Sequence, residues 1–315
     1  MAWALLVRPL APWILAALLL QAPTALAKDL IVAVKSLEAE PYTVAFQGFQ
    51  EALARQDVAI QEYSLKDGDN ERILSQIRDR RPALILTLGS TATGVVRSQI
   101  KDIPVIFCMV LNPVASGFVQ SMRASGNNLT GASLDIPARL QFEAFKAVVP
   151  SIKRVGVLYN PRETGEVVES AAKVARELGL ELIAIPVSSG ERLQDVVVNL
   201  DRKIDALWTV ADSTIFSSDR ATEFLLRKTI EQKIPFMGLS PAFVKAGALL
   251  ALAVDYKDVG VQCGEVATQI LARQAPSSVS IAVPRKTTLY LNLTVARAIG
   301  VSIPPRVMEG AVTLR

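Results

Sequence analysis

Ala83-Leu-Ile-Leu-Thr-Leu-Gly-Ser-Thr91 and Ala206-Leu-Trp-Thr-Val-Ala-Asp-Ser-Thr214 are one pattern written twice, about 123 residues apart. Each is an apolar run that closes on small polar residues, the form of a strand covered by helices on both faces. The order around them repeats as well. Ile31 and Val155 open the first strand of each half, Val58 and Leu180 the second, and Ile103-Pro104 and Ile234-Pro235 the fourth. Few letters are shared, so what recurs is the strand-loop-helix unit, and duplication accounts for the common register better than coincidence of βα spacing. Strands alternating with helices predict an α/β fold with a parallel, doubly wound sheet in each half. Two such lobes, each offering polar loops at its strand ends, make a cleft.

Residues 1–27 carry one charge, Arg8, then the run Trp13-Ile-Leu-Ala-Ala-Leu-Leu-Leu20, and end in Ala25-Leu26-Ala27 before Lys28-Asp29. This reads as a secretory signal with a small-residue cleavage site. The run is shorter than the roughly 20 residues of a membrane span, and no Cys follows it to carry a lipid. Its removal leaves about 288 residues, enough for two lobes that each bury a core. Residues 28–132 with 255–283 are expected to form one lobe, and 133–254 with 284–315 the other, joined by hinge crossovers. Within them we expect helices at 191–202 and from about 214 to 232. An apolar strand at 248–254 is expected to be the second crossing between lobes, a helix at 258–272 to pack on the first lobe, and a strand at 281–284 to precede the return.

Composition narrows the function. The formal charge of +4 is spread along helical faces, so no nucleic-acid partner is expected. Cys108 in an apolar strand and Cys263 in a helix are too few for a disulfide scaffold; they either pack as small hydrophobes or bridge in an oxidising compartment. The chain has no histidine, which removes Ser-His-Asp and Cys-His nucleophiles, His metal sites and imidazole acid-base work. Carboxylate or Ser-Lys chemistry stays open, but no paired-carboxylate motif stands out. We expect no catalytic residues, no metal and no cofactor.

Open parallel sheets bind ligands beyond the carboxyl ends of their strands. Gly89 permits close approach of a ligand to the backbone. Ser90 and Thr91 place hydroxyls at a helix N-terminus that favours an anion, such as a ligand carboxylate; alternatively Ser90 caps its own helix. Asp212 in the matching loop either meets a ligand ammonium or, with Ser213, caps the helix that follows. Ser36, Asn112, Ser133, Asn160, Ser240 and Asp255 stand at or near other strand ends. Tyr42 and Tyr159 offer rings for stacking, while Glu38, Glu40 and Glu163 read as solvated.

These residues resemble a known group, the solute-binding proteins of bacterial ABC transporters with the type 1 periplasmic-binding fold, in the family whose studied members bind aromatic amino acids. The resemblance covers the mature chain. It rests on Ile103-Pro-Val-Ile-Phe107 with Asn112-Pro-Val114, Gly126-Asn-Asn-Leu-Thr-Gly-Ala-Ser133, Val155-Gly-Val-Leu-Tyr-Asn-Pro161, Gly247-Ala-Leu249, and Asp255-Tyr256 with Gly260. It implies a ligand held between the lobes by Ser90, Thr91, Ser133, Asn160, Asp212 and Asp255. Two departures matter: Asn112-Pro113-Val114 replaces the usual Asp-Pro-Val, and Asp212-Ser213 replaces a common Asp-Asn. One acidic group is lost, which suits a ligand with a weaker cationic end. The function implied is periplasmic capture of a small-molecule ligand by hinge closure, as a monomer, with delivery to an ABC transporter permease. A sensory module read by a membrane sensor kinase is the alternative, and an exported α/β enzyme is a third.

Overall fold

The apolar runs become central strands because each alternates its side chains between two helical layers. The computed structural model describes residues 28–65, 70–188, 193–198 and 200–315; the expected signal at 1–27 lies outside the described residues. In chain order the first lobe contains β1 (Asp29–Lys35), α1 (Glu40–Ala52), β2 (Val58–Ser64), α2 (Asn70–Arg80), β3 (Leu84–Leu88), α3 (Ser90–Gln99), β4 (Val105–Val110) and β5 (Leu129–Ser133). These strands form an all-parallel sheet in the order β2-β1-β3-β4-β5. Ile31, Ala33, Leu84 and Leu86 face α1, while Val32, Val34, Ile85 and Phe107 face α2 and α3. Period-two alternation of apolar residues thus feeds both layers at once.

The second lobe follows with α4 (Ala138–Val148), β6 (Arg154–Tyr159), α5 (Pro161–Glu177), β7 (Glu181–Pro186), α6 (Leu193–Val197), β8 (Ala206–Trp208), α7 (Asp219–Glu231), β9 (Phe236–Gly238), α8 (Pro241–Ala246) and β10 (Leu250–Val254). The chain then runs through α9 (Tyr256–Leu271) to β11 (Thr287–Asn292), α10 (Leu293–Ile299), α11 (Pro305–Met308) and β12 (Val312–Leu314). The sheet order β7-β6-β8-β9-β10 repeats that of the first lobe, and β11 and β12 extend it, β11 antiparallel to β10. Val155, Val157 and Trp208 pack toward α4 and α5; Leu158, Leu207 and Phe236 pack toward α6 and α7. The molecule is therefore two doubly wound α/β lobes.

Three short segments pass between the lobes: Leu134–Pro137, Asp255, and Val283–Lys286. After the second of these, α9 packs back on α1 in the first lobe. The two helices approach so closely that a Cβ at Gly48 would overlap the Lys257 carbonyl oxygen, and one at Gly260 the Ala45 carbonyl oxygen. Glycine is required there by space alone. Val259, Cys263, Val266 and Ile270 of α9 complete the core over β3 and β4. Burying each large side chain contributes about 1.5–3 kcal/mol. Cys108 and Cys263 are free and buried. Burial and the neighbouring Cys108 push the Cys263 thiol well above its ordinary value.

Several expected boundaries are corrected. The strand at 281–284 is a single bridge, Ala132 to Ala282. Ile281 N and Ala282 N donate to Met122 O and Gly131 O, and Pro284 has no N–H to extend the ladder. The helix expected from 214 starts at Asp219, capped by the Ser218 hydroxyl accepting from Ala221 N at 3.2 Å. The helix expected at 191–202 is described only as Leu193–Val197, with 191, 192 and 199 outside the described residues. The run 248–254 is the fifth strand of the second sheet, with the crossing immediately after it.

Candidate functional site

On the first lobe, three loops meet at the carboxyl ends of β1, β3 and β4. Ser36 N donates to Leu88 O and Gly89 N to Cys108 O, at 2.9 and 2.8 Å. Gly89 has φ +92°, and a Cβ there would press on the Tyr42 hydroxyl and Ser36 Oγ at 2.6 and 2.7 Å. Glycine therefore lets Ser36, Tyr42 and the start of α3 converge. Ser36 Oγ accepts from Ala92 N at 2.9 Å, so the hydroxyl that caps α3 comes from the neighbouring loop and Ser90 does not cap its own helix. Ser90 and Thr91 are exposed. Among the described residues, their hydroxyls and N–H groups, and the Tyr42 hydroxyl, have no protein partner.

On the next loop, Asn112 sits at φ +47°, a conformation asparagine tolerates better than most residues. Its N–H donates to both oxygens of Asp135, at 2.9 and 3.1 Å. Ser133, fully buried, donates its hydroxyl to Asp135 at 2.6 Å and accepts from Asp135 N at 2.9 Å. Burial holds the Asp135 carboxyl above its usual range, outweighing the hydrogen bonds from Ser133 and Asn112. This knot ties the β4 loop to the first crossover.

On the second lobe, Asn160 caps α5, accepting from Arg162 N at 3.0 Å, with Pro161 supplying a ready-set first turn. Asp212 is 2% exposed. One of its oxygens accepts from Asn160 N and the Thr164 hydroxyl, both at 2.7 Å. The other accepts from Thr214 N and Ile215 N at 3.0 and 3.2 Å. Asp212 thus joins the β6 and β8 loops and caps no helix. Ser213 donates its N–H and hydroxyl to Glu163 at 2.7 and 2.8 Å, so Glu163 is engaged although exposed.

Between the lobes lies a cleft of about 1480 Å³. Of the residues singled out from sequence, Asn112 and Ser240 line it. Ser36, Tyr42, Gly89, Ser90 and Thr91 stand together on the same edge of the first sheet, outside the lining. Ser133, Asn160 and Asp212 are set behind the walls, where they hold loops in place, and Ser213 is exposed outside the lining. Tyr159 packs against the second lobe's core. Asp255 accepts from Asp258 N at 3.0 Å and caps α9, between the lining residues Val254 and Tyr256.

Sequence reasoning missed Asp135, Gln141, Arg162, Trp208, Tyr256 and Tyr290, all lining residues. Trp208 stood inside the repeated pattern and was read only as strand. Its indole N–H donates to Gln141 Oε1 at 2.7 Å, and its ring meets Phe142 edge-on at 5.0 Å. The walls are otherwise largely apolar, with Leu111, Val167, Tyr256 and Val283 exposed into the gap. Such a site can enclose an apolar group and orient it with a few polar contacts. Among the described residues, no group of three His, Cys, Asp or Glu side chains could hold a metal ion.

A model of the family described as ABC transporter substrate binding protein matches residues 31–314. The tyrosine-binding protein of Clostridioides difficile (strain R20291) is 26% identical over 258 residues, covering 76% of this chain and 74% of that one. A crystal structure of an ABC domain in complex with L-Trp from Streptococcus pneumonia is 25% identical, with a TM-score of 0.61 over 92% of this chain and all of that one. The ligand-free, open structure of CD0873, a substrate-binding protein with adhesive properties from Clostridium difficile, is 23% identical. Its TM-score is 0.72 over 91% of this chain and 99% of that one.

Proposed function

The chain belongs to the ABC transporter substrate-binding protein family, and from that premise we propose that it captures a small organic ligand between its lobes by hinge closure and hands it to an ABC transporter permease. The observation that carries this is the cleft, walled by both lobes and crossed by three connecting segments. A ligand touching both walls stabilises the closed form over the open one, which is what closure requires. The lobes are 28–132 with 255–283 and 133–254 with 284–315, and the protein works as a periplasmic monomer after loss of residues 1–27.

In this reading Asn112 and Ser240 contact the ligand directly. Ser36, Tyr42, Gly89, Ser90 and Thr91 meet it as the first lobe swings in. Asn160, Asp212, Ser213, Ser133 and Asp255 shape the loops that do so. Charge-assisted hydrogen bonds contribute about 1.5–3 kcal/mol each, so a few suffice once water is excluded. The names of the relatives, which cite tyrosine and L-Trp, support an amino acid or a related carboxylate as ligand. Mass spectrometry of natively extracted protein tests the proposal. One small organic molecule per chain is expected. A ligand-free preparation that also shows no thermal shift with amino acids or carboxylates overturns it.

A further inference from the structure

The chain has two cysteines, and the fold brings them together. Cys108 lies on β4 with its side chain on the face that receives α1 and α9, whereas Phe107 before it faces the other layer. Cys263 stands on α9 in the same apolar cluster. Its thiol donates to the Phe107 carbonyl oxygen at 3.8 Å, in the peptide group that leads into Cys108. A cysteine sulfur is only one atom beyond Cβ, so this contact places the main chains of α9 and β4 close together, with the two thiols as neighbours between them. Glycine lets the helix sit this deep: a Cβ at Gly264 would overlap the Ala52 side chain of α1. Both cysteines are wholly buried. Among the described residues, no further His, Cys, Asp or Glu joins them to hold a metal.

We propose that Cys108 and Cys263 are joined in the exported protein by a disulfide that fastens α9 to β4, made by exchange with a disulfide-bearing oxidant. The proposal goes beyond ligand capture and takes from that reading only the exported location, where disulfides form and persist. The Cys108 thiolate attacks one sulfur of the oxidant's disulfide and expels the other as a thiolate. The Cys263 thiolate then attacks the Cys108 sulfur of this mixed disulfide and expels the oxidant's remaining sulfur. Two protons and two electrons leave the pair, and the oxidant departs as a dithiol. Once α9 is seated, burial and the neighbouring Cys108 keep the Cys263 thiol protonated, and the attacking thiolate is gone. Exchange therefore belongs to the stage before α9 closes over the first sheet. The bridge closes a loop of about 155 residues and so restricts the unfolded chain strongly. It also anchors the hinge. Asp255, the second crossover, leads straight into α9, and Gln262 of α9 holds Val283 of the third.

Thiol trapping on the purified full chain tests this. Reduced, unfolded chain is diluted into an oxidised glutathione buffer, quenched with acid, and treated with a maleimide in denaturant, with and without prior reduction. The refolded chain is expected to take up no maleimide until it is reduced and then to take up two, as a monomer by intact mass. Chain that is folded first with both thiols reduced should stay reduced in the same buffer over the same time. The bridged form should melt about 5 °C or more above the dithiol form. Natively extracted protein, read in the same way, should already be bridged. A refolded chain that takes up two maleimides without reduction overturns the proposal, as does pairing only between molecules. Equal melting temperatures overturn the bridge as a fastening, and rapid bridging of the folded dithiol chain overturns the order of events. Two free thiols in the native protein also overturn the proposal, and where the refolded chain does bridge they fault the exported location with it. None of these readings involves a ligand, so capture in the cleft stands or falls separately.

Discussion

Asp212 is an acidic residue at a strand end with a helix to follow, and its local sequence permits either a ligand contact or a cap. Its neighbours determine another use. Two donors come from its own turn and two from the α5 entry, so the carboxylate ties two loops behind the cleft wall. Asp212→Ala should leave these buried donors unsatisfied and lower unfolding stability by about 3 kcal/mol. Urea denaturation reads this directly, and an unchanged midpoint would show the knot carries no weight. Asn160 was expected only at a strand end and as a ligand contact, although its cap of α5 was legible in the local Asn-Pro pair. Asp135 was not, since its role arises only when the Asn112 loop, 23 positions earlier, folds against it. The same holds for Arg162 and Tyr290, which line the cleft only once the two lobes face each other.

At the scale of elements, strands were read well and the segments between them poorly. A buried parallel strand announces itself by a continuous apolar run, so β1, β3, β4 and β6 could be placed from sequence, and their alternation with helices carried the doubly wound class of both lobes. Residues 214–218 looked helical because nothing in their composition opposes helix, yet the Asp212 turn claims their N–H groups first. The third crossover is the more instructive case. Asp258, 4% exposed in the first turn of α9, pairs with Arg285 at 2.9 Å and Lys286 at 3.0 Å, and Gln262 Nε2 donates to Val283 O. The crossover is therefore fastened to α9. Burial alone would raise the Asp258 carboxyl, but hydrogen bonds and charge from Arg285 and Lys286 prevail and hold it below its usual value. Its stabilisation is full above the unfolded carboxylate pKa and disappears as pH falls through the folded one. Asp258→Asn should cost about 2 kcal/mol at neutral pH, with the gap in melting temperature to the parent chain closing below about pH 4. A gap that persists at acid pH would assign the effect to packing.

For the whole molecule, the repeat noticed in two nine-residue stretches is a repeat of sheet order, with β11 and β12 added to one copy. That addition was not legible, because an antiparallel edge strand follows from the path of the last segment and has no counterpart in the other half. Two separate cores joined by three short segments make relative motion of the lobes the easiest large displacement. Small-angle scattering should therefore show a smaller radius of gyration once the cleft is filled; identical curves with saturating ligand would argue for binding without closure. The return of α9 to the first lobe has a further consequence for how the chain is made. One face of the five-stranded sheet is only partly covered, by α1, until residues 256–271 exist, so the amino-terminal lobe cannot finish folding ahead of the rest. A nascent chain keeps part of that face open until about four-fifths of it has emerged, and a truncation before Tyr256 would expose the uncovered part to other chains. Completion of the first half is timed by synthesis of the last.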